Sequence, residues 1–411
     1  MKTVRVVGGG PAGLAAAIFA ANAGARVVVH EKNEACGVKL LATGGGRCNI
    51  GNLRPMEEWP PLFAKRGRFI VPALDHLSTE RTRAWLGIIG VPTMTPDGAR
   101  LYPKSQSAAQ VRAALVEEAL RLEATIETRS RIDRILSKGE NRLRLVRNGI
   151  EMPADAVILA CGGKSLPGSG SSGDGFRLAR DLGHTIAPPV PGLVGLRAKA
   201  WNNDLAGLVL PAAKATFRTK GSGTVTGEGE LLLTHNGVSG PAVLDLSGAL
   251  ARALEDNPGA SRRLGIAWDA AMTIDRWRKR IIGWRKARAN MRVETLLAES
   301  VPKKLARWLS ARARLEENAA VGSIASARVE ALAQQLGHCP LEIYATEGWD
   351  RAMVTKGGVA LREIDPKTLA SRLVPGLHFA GEVVDIDGPC GGYNLQWTFS
   401  SGALAGESAA E

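Results

Sequence analysis

Val4-Arg5-Val6-Val7-Gly8-Gly9-Gly10-Pro11-Ala12-Gly13, with the Ala-rich stretch to Gly24 and then Arg26-Val27-Val28-Val29-His30-Glu31, decides the fold class. An apolar run, a glycine cluster, a helix-forming stretch and a second apolar run make a strand, helix, strand unit. Pro11 suits a first helical turn, where its missing N–H costs nothing, and Gly24 suits a left-handed helix cap. Gly8, Gly10 and Gly13 satisfy G-x-G-x-x-G between strand and helix, with Pro11 and Ala12 completing the turn. Gly8 permits the tight bend, Gly10 lets a pyrophosphate reach the N–H groups at the helix N-terminus, and Gly13 allows close packing. Glu31 ends the second strand 18 residues after Gly13, where a carboxylate accepts hydrogen bonds from a ribose, and Lys32 follows it. The pattern predicts a Rossmann dinucleotide site.

A second literal match, Gly168-Ser169-Gly170-Ser171-Ser172-Gly173, lies several residues past its strand Val157-Ile158-Leu159-Ala160, and no acid ends the segment 184–190. It is read as a turn and not as a nucleotide site. Without a second Rossmann unit, NAD(P)H would dock only transiently against a cofactor already in place, so the held dinucleotide is expected to be FAD. Three segments support that reading. Leu159-Ala160-Cys161-Gly162-Gly163 resembles the strand-then-Thr-Gly motif of two-dinucleotide-fold flavoproteins, with Cys161 where Thr is usual. Phe379-Ala380-Gly381-Glu382-Val383-Val384-Asp385 resembles their late Gly-Asp motif, in which a carboxylate binds the ribityl chain; Glu382 takes the Asp place and Asp385 shares the role. Gly391-Gly392-Tyr393-Asn394 precedes the last helix, whose positive dipole end would face the flavin edge that gains negative charge on reduction.

Outward from these motifs, 411 residues predict two to three domains. A 45% hydrophobic, 23% charged chain with 48 non-periodic glycines excludes disorder and collagen-like repeats. No run reaches 18 apolar residues and no leader pattern opens the chain, so an unexported protein without membrane contact is expected. Five widely spaced cysteines argue against a disulfide framework and a zinc site and for reducing cytoplasm; the six histidines show no metal-ligand spacing. Helical spacing covers 105–124, β-type runs cover 125–147, and Pro188-Pro189-Val190-Pro191 marks a boundary. Alternating segments over about 192–260 suggest an antiparallel barrel or sandwich, and 273–337 reads as basic and helical. A strand at 376–382 and a helix at Leu395–Ala405 return the chain to its first domain.

At this point a family resemblance is visible. The segments Thr43-Gly44-Gly45-Gly46-Arg47-Cys48-Asn49, Gly170-Ser171-Ser172-Gly173-Asp174-Gly175 and Thr234-His235-Asn236-Gly237-Val238-Ser239-Gly240-Pro241 resemble those of the YhiN/BaiN-like (aminoacetone oxidase-like) NAD(P)/FAD-dependent flavoproteins. So do Lys356-Gly357-Gly358-Val359 and Gly388-Pro389-Cys390-Gly391-Gly392-Tyr393-Asn394-Leu395-Gln396-Trp397, though Cys390 stands where that family commonly has Thr. The resemblance implies an α/β fold: a glutathione-reductase-like Rossmann FAD domain (1–190 and 355–411) interrupted by an insertion at 191–354. The insertion would hold a β-barrel (about 191–262 and 340–354) and a basic helical unit (about 263–339). It also implies Gly44, Gly45, Gly46, Arg47 and Cys48 at the cofactor, and a substrate between the domains. Activities across the family are diverse: amine oxidation, reduction of steroid-like enones, and dihydrouridine synthesis in ribosomal RNA.

Candidates for catalysis follow. Cys390 beside a helix N-terminus is a proton donor or acceptor, and His235 could face substrate from the insertion. Cys48 has no C-x-x-x-x-C partner, so it either lines the cofactor or is structural. The net charge of +13 is concentrated between Arg262 and Arg314, where 15 Lys or Arg face four acids. There Arg276, Arg278, Lys279, Arg280, Arg285, Lys286, Arg288 and Arg292 interleave with Trp277 and Trp284. Either the cations neutralise RNA phosphates while the tryptophans stack on bases, or the tryptophans are core beneath a solvated face. The resulting expectation is an oxidoreductase that moves hydride to uridine of ribosomal RNA. The alternatives are a small-molecule amine or enone substrate, or a flavin-containing RNA-binding factor without turnover.

Overall fold

A computed structural model of the chain describes residues 1–137, 143–219, 221 and 223–411. The opening apolar run forms strand β1 (Thr3–Val7), and the glycine cluster turns it into helix α1 (Pro11–Asn22) and strand β2 (Arg26–His30). Gly24, at φ +84, ends the helix in the left-handed region that the sequence assigned to it. These strands lie in a five-stranded sheet of order Leu377–Phe379, Ala156–Leu159, β1, β2, Thr125–Glu127. All its pairs are parallel, so the strand carboxyl ends line one edge, where open α/β sheets bind ligands. The near-continuous apolar runs follow from burial on both faces.

The last helix, Tyr393–Ala410, closes against α1 through small residues. A Cβ on Gly402 would sit 2.5 Å from the Ala12 carbonyl oxygen, and one on Gly406 2.4 Å from that of Ala16. Two glycines one turn apart therefore set the separation of the helices. The β-type runs expected over 125–147 divide: Thr125–Glu127 joins the parallel sheet, while Arg134–Ser137, Leu143–Arg147 and Ile150–Ala154 form an antiparallel meander. Part of the expected span, 138–142, lies outside the described residues.

The chain divides into two units, Met1–Pro189 with Met353–Glu411, and Val190–Ala352. The second holds a closed six-stranded antiparallel barrel, in which Leu196–Ala198, Gly237–Ser239, Gly223–Thr234, Val209–Thr219, Arg262–Ala267 and Cys339–Thr346 follow one another. Closure removes the open sheet edge. A helix at Pro241–Glu255 interrupts the alternating segments expected here; Ala242, Val243, Leu246, Leu250 and Ala251 give it one buried face. Helices follow at Ile274–Ala287, Val293–Leu297, Lys303–Arg312 and Ser326–Gly337.

The base-stacking role considered for Trp277 and Trp284 is corrected here. Trp277 is 0% and Trp284 8% exposed, and with Ile281 they join the core of this second unit. The i, i+4, i+7 spacing that puts them on one helix face turns that face inward. Among the described residues no helix is long and apolar enough to cross a membrane. Trp277→Ala should cost about 3–5 kcal/mol of stability by loss of burial and the cavity left behind. Chemical denaturation reads this, and a loss under about 0.5 kcal/mol, typical of a surface change, would contradict the buried placement.

Candidate functional site

The carboxyl edge of the parallel sheet begins at the glycine turn. Gly8, at φ +107, donates its N–H to the His30 carbonyl at 2.8 Å, and a Cβ there would fall 2.6 Å from the Ala160 oxygen. A Cβ on Gly13 would be 1.8 Å from the Gly8 oxygen. Gly10 differs, for a Cβ there meets nothing within 4 Å, and it stands at the N-cap of α1 with no side-chain hydrogen bond to offer. An open hollow in front of an uncapped helix N-terminus fits a pyrophosphate. Glu31 is 7% exposed, and its two carboxylate oxygens accept from the N–H groups of Gly9 at 2.7 Å and Asn33 at 2.8 Å. Its anionic oxygens are thereby fixed beside the turn, as a ribose acceptor requires, and the residues present fit a dinucleotide. Gly9, which the motif leaves free, is needed too: a Cβ there would strike the Cys36 sulfur at 2.5 Å.

Lys32 reaches away from this turn to the segment around Gly168–Gly173. Its ammonium donates to Ser172 at 2.6 Å and Asp174 at 2.7 Å, and Asn33 Nδ2 donates to the Ser169 carbonyl at 3.1 Å. The Gly168–Gly173 segment is thus pinned to the two residues that follow Glu31. Burial works against the Asp174 charge, yet bonds from Lys32, Ser172 and Arg131 hold its carboxyl down at about 2. A second lysine, Lys39, donates to Ser165 and Glu382 at 2.6 Å each. Two lysines from one connection therefore anchor both ends of the loop that leaves the strand Ala156–Leu159.

Glu382, expected at the ribityl chain, is held from three sides. Its carboxylate accepts from Lys39, from the Ser165 hydroxyl at 2.8 Å and from the Thr355 N–H at 2.5 Å. Burial opposes its charge, but Lys39 and these hydrogen bonds keep its carboxyl below the ordinary range. Asp385 pairs with Arg66 at 2.9 Å, and Arg66 also bonds Asp387, which takes Lys356 at 3.0 Å. Burial pushes the Asp385 carboxyl up, against the pull of Arg66. Cys161 donates its thiol to the Val7 carbonyl at 3.2 Å, the bond a Thr hydroxyl would make, and burial raises that thiol to about 12. Ala160 is buried, and Gly162 turns the chain at φ +69.

At the last helix, Gly391 and Gly392 have φ +125 and +99, and a Cβ on Gly392 would lie 2.3 Å from the Gly51 oxygen. The side chains of the next two residues face inward: Tyr393 packs edge-on against Trp59 at 4.6 Å, and Asn394 clips the Gly388 and Pro389 carbonyls. Tyr393 is buried and Asn394 half-buried. Gly44, Gly45 and Gly46 all have positive φ in an exposed loop, and Arg47 lies 5.6 Å over the Tyr102 ring. Cys48 is 0% exposed, and burial raises its thiol to about 11. A thiol covered by protein alone has no surface to offer cofactor or substrate, which removes Cys48 from the catalytic candidates and leaves it a structural place. Cys390 is partly exposed. His235 is exposed in the hairpin turn of the second unit, between the strands Gly223–Thr234 and Gly237–Ser239.

Sequence reasoning missed Lys39, Ser165 and Thr355, whose contacts to Glu382 span up to 343 residues. Ser172 and Asp174 lay in a quoted segment without an assigned partner.

The description HI0933-like protein Rossmann domain matches residues 2–408. The 3-dehydro-bile acid delta(4,6)-reductase of Clostridium scindens is 33% identical over 413 residues, covering 100% of both chains. The ribosomal RNA dihydrouridine synthase of Escherichia coli is 30% identical over 396 residues, 96% of this chain and 95% of that one. Among solved structures, the 3-ketosteroid delta1-dehydrogenase of Sterolibacterium denitrificans matches with a TM-score of 0.54 at 14% identity over 100% of both chains, a likeness of fold.

Lys32→Met and Asp174→Asn should each release FAD about two- to fivefold faster, as expected of an ion pair contributing ~0.5–1 kcal/mol. Flavin fluorescence after dilution measures this, and an unchanged rate in both variants would remove the loop from cofactor retention. Because the Asp174 carboxyl is depressed to about 2, its contribution is full above the unfolded-state value of ~3.9 and lost as pH falls through about 2. The stability gap between the parent and Asp174→Asn should therefore stay constant from neutral pH to about 4 and close below it.

Proposed function

The chain belongs to the HI0933-like Rossmann family and is a FAD-dependent oxidoreductase, and from that premise we propose that it reduces a carbon–carbon double bond conjugated to a carbonyl, in uridine of ribosomal RNA. The observation that carries the RNA reading is the concentration of charge, 15 Lys or Arg against four acids between Arg262 and Arg314. A polyanion repays such a surface by counterion release, whereas a small neutral substrate gains nothing from it. Cytoplasm is the compartment where RNA is met, and NAD(P)H is the reductant, docking transiently.

Gly8, Gly10, Gly13, Glu31 and the Lys32 loop are the residues that would hold FAD, with the Gly44–Gly46 and Gly391–Gly392 backbones toward its flavin half. Bound FAD would supply a hydride equivalent. The task left to the chain is to admit the uracil, exclude water and deliver one proton to C5 as hydride reaches C6, so that the ring gains two hydrogens and loses its C5–C6 double bond. Cys390, partly exposed just before Gly391 and Gly392, is assigned as the proton donor.

A second reading rests on the bile acid reductase relative, which matches at 33% identity over its full length. A 3-dehydro bile acid with double bonds at positions 4 and 6 is a conjugated enone, so the chemistry is the same and only the substrate class differs. Mass spectrometry of ribosomal RNA from cells with and without the gene decides between them. The proposal expects a uridine carrying two extra hydrogens that disappears on deletion and returns with the gene. RNA left unchanged by the deletion sinks it in favour of the enone, or of an RNA-binding factor without turnover if the protein still holds RNA. Cys390→Ala should lower single-turnover reduction by on the order of 10²-fold, as loss of a general acid does, with FAD content unchanged.

A further inference from the structure

The basic helix Ile274–Ala287 presents three sides. One is buried through Trp277, Ile281 and Trp284. On a second, Arg278 is bonded to Asp275 and to Glu330, an acid on the neighbouring helix Ser326–Gly337. The third carries Arg276, Lys279, Gly283 and Lys286, spaced i, i+3, i+7 and i+10, so that all four fall on one stripe of the helix. All four are exposed.

Charge and shape on this stripe agree. Among the described residues no acid pairs with Lys279 or Lys286, and Asp275, the acid of the first turn, is drawn aside to Arg278. Gly283 stands between Lys279 and Lys286, and a Cβ there would meet nothing within 4 Å. A glycine in a helix interior weakens it relative to alanine, and packing gives no reason for this one. What it does provide is a bare strip of backbone flanked by cations, onto which a bulky anion can settle without meeting a side chain. The buried tryptophans leave no ring here for base stacking.

We propose that the stripe Arg276, Lys279, Gly283 and Lys286 is a docking face for the sugar-phosphate backbone of RNA, which it holds by charge and close approach and without reading bases. This rests on the RNA reading above and adds to it which cations engage and how. Arg278 and Arg280 are excluded from the face, the first by its acids and the second because it lies over the Trp277 and Trp284 rings, at 5.5 and 5.2 Å.

The test uses the FAD-loaded full chain and a fluorescent stem-loop RNA with uridines in its loop, titrated between ~50 and ~200 mM KCl. The double variant Lys279→Gln/Lys286→Gln should lower the slope of log affinity against log salt by about 1.4–1.8, as loss of two phosphate contacts requires. Gly283→Leu changes no charge and places a better helix former, so its melting temperature should hold or rise while RNA affinity falls on the order of fivefold. Replacing the loop uridines with other bases should leave the drop in salt slope caused by the double variant unmoved, and a drop that vanishes with the uridines overturns the proposal. An unaltered slope in the double variant overturns the proposal, as does full affinity in Gly283→Leu. Vesicles rich in phosphatidylserine provide a second arm; if they bind as salt-sensitively through the same residues and RNA does not, the face belongs to a lipid surface. The outcomes separate from those of the dihydrouridine reading: a reduced slope with unchanged cellular RNA leaves the face standing without that reaction, and a deletion-sensitive RNA mark with an unmoved slope does the reverse.

Discussion

Backbone pressed against backbone is the constraint on which the first unit depends. A Cβ on Gly13 would lie 1.8 Å from the Gly8 oxygen, one on Gly8 2.6 Å from Ala160, and one on Gly402 2.5 Å from Ala12. No side chain can yield enough to admit a methyl group at distances set by main-chain atoms, so these positions fix how closely strand, turn and helix approach. The reward is an open hollow at Gly10, with the uncapped helix end behind it and the Glu31 carboxylate held at its side. Tight packing on three sides makes the fourth available.

Charge then ties distant parts of the sequence to that edge. Lys32 and Lys39, seven residues apart, hold the loop after the strand Ala156–Leu159 at Ser172 and Ser165, and Lys39 extends the tie to Glu382 near the far end of the chain. These are partly buried pairs supported by hydroxyl and backbone donors, the condition under which ionic bonds hold geometry well. The four cysteines other than Cys390 all have thiols raised to about 11 or 12 by burial. A flavoprotein of this build keeps those sulfurs protonated and poorly nucleophilic.

The Rossmann unit was legible because its demands are local: glycine spacing, helix start and the acid closing β2 all fall between Thr3 and Glu31. What escaped were long-range pairings, such as Lys39 with Glu382, and the direction in which a periodic face points. The spacing of Trp277 and Trp284 shows one face without telling inside from outside, and only the neighbouring helices turn it inward. The helix Pro241–Glu255 escaped because short apolar runs at 242–251 fit strand and helix alike until the barrel assigns them. Cys48 had the right neighbours and the wrong accessibility, a property that exists only after folding.

The division of the chain also orders events during its synthesis. The second unit is one uninterrupted stretch, Val190–Ala352, whereas the first needs both Met1–Pro189 and Met353–Glu411. As the nascent polypeptide leaves the ribosome, the barrel and its helices are complete while the Rossmann sheet still lacks its edge strand Leu377–Phe379 and the helix that lies on α1. The exposed face of α1 must wait, uncovered, through the translation of the whole intervening segment. The first unit, split by 163 residues of the second, is the part of the chain whose packing is completed last.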